Sequence, residues 1–434
     1  MNESTLTEES KLERLAERVR ERQIGPCRLL MLPTPVRSVV TWKGSFKAFP
    51  DFGAEEDLHQ GLAVSLLDKG TKRLDRFAIA EQLENRGAQV QFESDGLYVD
   101  FAGRALTEDA SDVLALVAEQ LREPLFDATE FEKSRSRIAA SIRRSMESTG
   151  SQALGALTRR IYPSAHPNYT PEPEERISRL LEIDLDAVRR YHDTHFGSNG
   201  LTLVVVGDFD EPVIEETIRT HFGDWKEHQA PDRLDSRPKT AEPGVSKVPM
   251  PDKQNVDVRI GQAVEFLRDD PEYIPMFLAN YVLGGNFSAR LMQVIRDEMG
   301  LTYGIRSGLY GISTMYSGHW QVAVTLSTEN LERGIEETTK EVRRFVEDGV
   351  AQSEIDDKKT TIIGSFKVGL ATTSGLAGTL LKNAERGFDV GYLDRFPVEV
   401  GGVTLDQVHD VVKSNLDPDQ FQVAIAGMLP ELRH

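Results

Sequence analysis

Two long stretches of this chain are written twice, and that duplication constrains the fold more than any single motif. Residues 123–142, EPLFDATEFEKSRSRIAASI, share the pattern of residues 347–366, EDGVAQSEIDDKKTTIIGSF, with Glu130 opposite Glu354. Residues 185–207, LDAVRRYHDTHFGSNGLTLVVVG, run in step with residues 405–427, LDQVHDVVKSNLDPDQFQVAIAG, with Leu185 opposite Leu405. Each copy of the second pair reads as a helix, a polar turn and an apolar strand closed by glycine. A tandem repeat of this kind predicts two related domains rather than one large one. The 434 residues are enough for two cores without disulfide or metal staples.

The domains predicted from this pattern are residues 25–228 and 253–434. A stretch rich in proline and charge, 229–252, reads as an extended linker between them. Ahead of the first domain, residues 1–24 read as a helical arm: Leu12, Leu15 and Val19 fall at helical spacing, and Gly25-Pro26 would stop the helix. Residues 27–46 offer two strands, and GAQVQFESDGLYVDFA at 87–102 alternates about Asp95-Gly96, a hairpin signature. Helical patterns intervene at 73–86 and 106–121. The fold class is therefore α+β, a duplicated unit with helices packed on a largely antiparallel sheet.

Several function classes are disfavoured by composition. Lys and Arg number 51 against 70 Asp and Glu, a formal charge of −19, which is wrong for a nucleic-acid or anionic-membrane surface. The single cysteine, Cys27, excludes an internal disulfide framework and a multi-cysteine zinc site. No stretch reaches the apolar length of a membrane span, and the first residues lack the apolar core of a secretory signal, so the expected address is cytoplasmic. No nucleophile elbow, P-loop or dinucleotide-binding glycine turn is present. Gly284-Gly285-Asn286 is too brief for a phosphate cradle and reads as a turn before a helix.

The chemistry concentrates in YVLGGNFSARLMQVIRDEMGLTY, residues 281–303. Arg296 lies on a predicted helix ended by Gly300, and Tyr303 opens the next strand, so both side chains can face one cavity past the helix end. Arginine brings a permanent cation and tyrosine an O–H donor, groups suited to an oxygen that becomes an anion. Taken singly, each has an ordinary reading, a solvated arginine and a core tyrosine. Arg290, in the FSARL run, reads as a brace for the helix. Among the histidines, His192 and His195 share a predicted helix without a matched acid, His166 sits in a proline-rich loop, and His59, His221 and His228 lack companions at ligand spacing.

This segment resembles the second-half motif of the pitrilysin/insulinase (inverzincin) family of zinc peptidases, in which an arginine and a tyrosine at this spacing reach the scissile carbonyl. In that family an H-x-x-E-H helix in the first half supplies zinc ligands and the base. Here the flanks remain, Gly61-Leu62-Ala63 and Lys69-Gly70-Thr71, but Val64-Ser65-Leu66-Leu67-Asp68 stands between them in a run about three residues shorter than the family's. The family's more distant glutamate ligand would fall near Ala140 or Ser141. The resemblance, which covers most of residues 27–430, implies a processing-peptidase-like fold and a chain that binds no metal or other cofactor itself.

It further implies a partner, an H-x-x-E-H homologue carrying zinc, with Arg296 and Tyr303 holding the carbonyl of a peptide enclosed between the two chains. Only the pair of chains would be a peptidase. Two alternatives stay open: a non-enzymatic assembly scaffold of the same fold, and a chamber that binds peptides without cleaving them. A scaffold has no use for Arg296 and Tyr303 together.

Overall fold

Strand order carries the duplication into three dimensions. The computed structural model describes residues 14–228, 234, 238, 239 and 242–429. Strands β1 (Arg20–Ile24), β2 (Cys27–Pro33), β3 (Val39–Lys47), β4 (Gln89–Ser94), β5 (Tyr98–Leu106) and β6 (Thr202–Gly207) make one sheet, in the order β1-β2-β6-β3-β5-β4. Strands β7 (Gly244–Pro249), β8 (Asn255–Ala263), β9 (Thr302–Tyr310), β10 (His319–Ser327) and β11 (Gln422–Gly427) make the other, in the order β7-β11-β8-β10-β9. Without β1 the two orders are the same. Each sheet has one parallel pair, β2 with β6 and β7 with β11, and is otherwise antiparallel.

The helices repeat as well. The first half carries α1 (Asp57–Val64), α2 (Arg76–Asn85), α3 (Ala110–Arg122), α4 (Ala128–Met146), α5 (Thr149–Ile161), α6 (Pro173–Glu182), α7 (Leu185–His195) and α8 (Glu211–Phe222). The second carries α9 (Tyr273–Leu283), a π-helix (Met292–Glu298), α10 (Leu331–Asp348), α11 (Gln352–Gly369), α12 (Thr373–Glu385), α13 (Tyr392–Gly402) and α14 (Leu405–Asn415). The written repeats are α4 with α11, and α7–β6 with α14–β11. Asp184 and Thr404 cap the starts of α7 and α14 by accepting backbone N–H groups, as short polar side chains do at that position. Glu130 and Glu354 do the same job in the two halves: Glu130 pairs with Arg76 and Lys133, and Glu354 accepts from Nε and Nη2 of Arg290, both at 2.6 Å.

Each sheet has its own core, built around Trp42, Phe46 and Phe101 in the first half and Trp320, Val258 and Phe345 in the second. The two halves nevertheless exchange helices. Leu376, Ala377, Leu380 and Leu381 of α12 bury against Leu30, Leu32, Val204 and Val206 of the first sheet. In return α5 packs on β8 and β11, with Ala156, Leu157 and Ile161 around Ala424. A fully buried leucine contributes about 1.5–3 kcal/mol, so this exchange holds the halves as one body. It also explains β6, which reads TLVVVG and is buried on both faces, because helices cover both sides of that strand.

Two expectations from the sequence are corrected. The N-terminal arm is not helical over its described part: Leu15–Arg18 is a single 3₁₀ turn, and Arg20–Ile24 is β1, paired with β2 from Arg20↔Met31 to Ile24↔Cys27. A tight turn with Gly25 at φ +54° folds the chain back, and strand pairing outweighs the helical spacing of Leu15 and Val19, whose side chains pack beside α12. Residues 1–13 of the arm lie outside the described residues. The linker, in turn, ends in a strand. Gly244–Pro249 is β7, the counterpart of β2, and pairs with β11 in parallel. The predicted hairpin is β4–β5, where Asp95 accepts the N–H groups of Leu97 and Tyr98 across a Gly96 at φ +91°.

Candidate functional site

The corner that presents Arg296 and Tyr303 begins at the end of α9. The N–H groups of Gly284 and Gly285 both bond the Asn280 carbonyl, and a side chain at Gly284 would meet the Ser307 backbone nitrogen at 2.5 Å. The glycines therefore let α9 close onto β9, and no phosphate cradle forms. Asn286 then ties the turn by donating to the Tyr281 carbonyl and accepting from Ser288. Arg290 braces the following helix through Glu354, which the neighbouring guanidinium holds below the usual carboxylate range.

From Met292 to Glu298 the backbone widens into a π-helix where the sequence predicts an ordinary helix, a feature frequent at functional sites. Ile295 is buried beneath it, and Gly300, at φ +64°, ends it. Arg296 projects from the last turn, its guanidinium 4.8 Å from the ring centre of Phe287 and 3.2 Å from Asp297. Stacking on an aromatic face holds a guanidinium while leaving its edges open for a ligand. Thr302 is buried, donating to the Thr325 carbonyl and accepting from Gly304, so the next side chain points outward. That residue is Tyr303, which is 100% exposed; Phe287, at 71%, is likewise given to solvent. Both sit near β9, the open edge of the second sheet.

Arg296 and Tyr303 are thus set on the two sides of one glycine turn. The arginine bonds Asp297 and not the tyrosine. Phe287 is the member of this corner that sequence reasoning passed over; an aromatic residue at the exposed start of a helix was the available signal.

The first-half segment has a different character. Leu62, Ala63, Leu66 and Leu67 are buried in the core around α1. Gln60 is buried and donates to the Ala48 carbonyl and the Tyr191 hydroxyl. His59 lies by Tyr191, and burial lowers its pKa. Asp68, the one carboxylate from Val64 to Asp68, pairs with Lys69. On α4, Ala140 is half-buried and Ser141 exposed. A hydrolytic zinc ion needs three ligands and an open position, and these residues do not fit one. Among the described residues no group of three or more His, Cys, Asp and Glu has metal-holding geometry.

The remaining histidines serve the backbone and the core. His192 bonds the Leu121 carbonyl at 2.9 Å and His195 the Tyr191 carbonyl. His166 and His319 meet around Tyr162, one from each half, and burial pushes both down to about 4. No described helix is long and apolar enough to cross a membrane.

The fold is a tandem duplication of an α+β unit, each half a largely antiparallel sheet with helices packed on it. The chain belongs to the insulinase family, peptidase M16. Residues 59–171 match the family pattern described as insulinase (peptidase family M16), and residues 182–362 match the pattern described as peptidase M16 inactive domain; together they span more than half of the chain. It is similar to the non-peptidase homolog YmxG of Helicobacter pylori, 23% identical over 395 residues, 88% of each chain. The crystal structure of a peptidase M16 inactive domain from Pseudomonas fluorescens shares the fold, with a TM-score of 0.84 and 21% identity over 94% of this chain and 97% of that one. The periplasmic protease PqqL of Escherichia coli matches with a TM-score of 0.79 and 13% identity, over 96% of this chain but 46% of its own.

Proposed function

We propose that this chain is the non-metal subunit of a two-chain zinc endopeptidase. The observation that carries the reading is the contrast between Tyr303, wholly exposed beside an arginine stacked on Phe287, and the α1 segment, where apolar core packing stands in place of zinc ligands. A partner chain with an H-x-x-E-H helix holds zinc, which activates the attacking water when bound. Arg296 and Tyr303 then donate to the carbonyl oxygen of the enclosed peptide as it gains negative charge. The chain itself binds no zinc or other cofactor, and the pair works in the cytoplasm.

Two further points support this. A solved protease about twice as long contains a unit of this fold as 46% of its chain, so such a unit can be one part of a longer protease. The exposed corner makes no structural use of the tyrosine, which a purely scaffolding subunit would not need. The scaffold reading draws its support from the relative named a non-peptidase homolog.

Co-purification from the native source separates the two. The peptidase reading expects an H-x-x-E-H homologue in the complex, zinc on that homologue, and none in stoichiometric amount on this chain. One tightly held zinc per copy of this chain overturns it, as does a complex that hydrolyses peptides equally well with Arg296→Ala.

A further inference from the structure

Between the outer face of the first sheet and the helices α11, α12 and α13 lies a cavity of about 690 Å³. Its lining includes Arg268, Arg386, Asn383, Lys382, Tyr392 and Phe396. Arg268 comes from the loop between β8 and α9, and its backbone is fixed by a bond to the Ser313 carbonyl. Arg386 is the residue that ends α12. The two guanidiniums approach each other closely enough that Arg268 adds to the burial that lowers the pKa of Arg386.

What distinguishes this pair from the other arginines is the missing counterion. Arg268 is only 8% exposed, its guanidinium lies 3.7 Å from the centre of the Tyr273 ring and within hydrogen-bonding reach of the Tyr392 hydroxyl, and its Nε has no hydrogen-bond acceptor. Arg386 makes no side-chain hydrogen bond or ion pair among the described residues, and the end of α12 supplies only the partial negative charge of a helix C-terminus. Asn383, 5% exposed, has an Nδ2 that is likewise unmatched. The neighbouring carboxylates are engaged elsewhere. Glu385 and Asp100 hold Lys382 at 2.8 and 3.6 Å, Asp389 holds Arg395, and Asp270 accepts the Leu267 N–H. The unmatched carboxyl oxygens of Asp100 and Glu385 lie by each other, and burial next to Glu385 raises Asp100 to about 7, so a proton on Asp100 joins them. Glu93, on the sheet side, is the one further carboxylate of the lining, and the Nε of Arg268 and the Nδ2 of Asn383 remain donors without an acceptor in a space large enough for a small molecule.

Like-charged guanidiniums held together and partly desolvated are stabilised when an anion joins them, and the planar fork of arginine matches carboxylate and phosphate oxygens. We infer that this inter-half cavity binds an oxyanion, a carboxylate or phosphate group attached to an apolar body, between Arg268 and Arg386. The Nδ2 of Asn383 supplies a further donor. The rings of Phe366, Tyr392 and Phe396 receive the apolar part. The inference stands apart from the peptidase reading, because it uses neither Arg296 nor Tyr303 and needs no partner chain.

Calorimetry and thermal unfolding of the purified full chain test it, with inorganic phosphate, benzoate, and a short peptide with a free or an amidated C-terminus as probes. Saturable binding is expected, with a rise in unfolding temperature on adding phosphate. Arg386→Met, at the end of α12, should weaken binding about tenfold or more, in line with loss of a charge-assisted contact. A free peptide that binds more tightly than its amide identifies peptide C-termini as the source of the oxyanion; equal binding with retained phosphate affinity identifies free small oxyanions. No saturable binding by the wild-type chain, or unchanged binding by a folded Arg386→Met variant, overturns the proposal. Arg268→Met is the second variant, read only if its circular dichroism matches the wild type.

Discussion

The corner between α2 and β4 and the corner between the π-helix and β9 are built on one plan. Each runs from a helix braced by an arginine–glutamate pair, through a left-handed glycine, into the open edge strand of its sheet. The glycines, Gly87 at φ +57° and Gly300 at φ +64°, have nearly the same backbone shape. Past them the corners diverge. The first continues as QVQFES, with Gln89, Gln91 and Glu93 on the exposed side, while the second opens on Tyr303 and carries Arg296 over Phe287. The frame therefore sets where a side chain can be presented, and the residue chosen sets the chemistry. A polar ladder solvates an edge, whereas an aromatic hydroxyl beside a stacked guanidinium offers paired donors to an oxygen.

The comparison can be broken first at its foundations. Ile79 lies under α2 and Ile295 under the π-helix, both buried. Either Ile→Ala change should destabilise the chain by about 2–5 kcal/mol in chemical denaturation. A much smaller loss at Ile295 would show that the π-helix corner is not a rigid platform.

The next effect is confined to one corner. In the assembled peptidase, Tyr303→Phe should lower peptide hydrolysis on the order of 10²-fold, the usual loss of one oxyanion donor, with the unfolding midpoint unchanged. Gln89→Ala, at the other corner, should alter neither. Equal losses at both corners would remove the special role of the second.

A third test addresses the joint between the halves. His166 and His319 are held neutral, at about 4 against an ordinary 6.5. Below pH 6.5 the unfolded chain takes up protons that the folded one refuses, so stability should fall as pH drops from about 6.5 to about 4. The charge of His319 adds to the burial that lowers His166, and by pH 4 the loss is on the order of 3 kcal/mol for each group. Urea midpoints across that range check it, and His166→Asn should flatten the slope. An unaltered slope in that variant would place the pH response elsewhere; the raised carboxyl of Asp100 acts in the opposite direction, stabilising at low pH and losing its effect as pH rises.

The smallest expected difference lies in the braces. The fork between Arg290 and Glu354 is bidentate, whereas Arg76 reaches Glu130 at 3.3 Å with Lys133 competing. Double-mutant cycles should give about 1 kcal/mol for the first pair and less than about 0.5 for the second. Equal couplings would mean that the two helix starts are held alike.

Much of the architecture was legible in the residues. The repeats placed α4 opposite α11 and α7–β6 opposite α14–β11, because periodic burial leaves the same apolar pattern wherever the same unit folds. Asp95-Gly96 marked the β4–β5 turn because few other pairs adopt its backbone. Strands β1 and β7 were not legible. Both are short, β1 exposed over its first four residues and β7 on alternate ones, and they exist as strands only because β2 and β11 offer open edges to pair with. Local spacing cannot report a partner distant in sequence.

The same division holds for function. From the sequence alone came the duplicated α+β unit, the absence of an H-x-x-E-H run and the candidate pair Arg296 and Tyr303, since residue type and spacing are one-dimensional facts. Only the tertiary structure decided that Tyr303 is wholly exposed, that Phe287 lies under Arg296, that each half lends a helix to the other, and that Arg268 and Arg386 meet across a cavity without a counterion. Exposure, stacking and charge pairing depend on distances through space, and those are set by which surfaces the hydrophobic cores bring together.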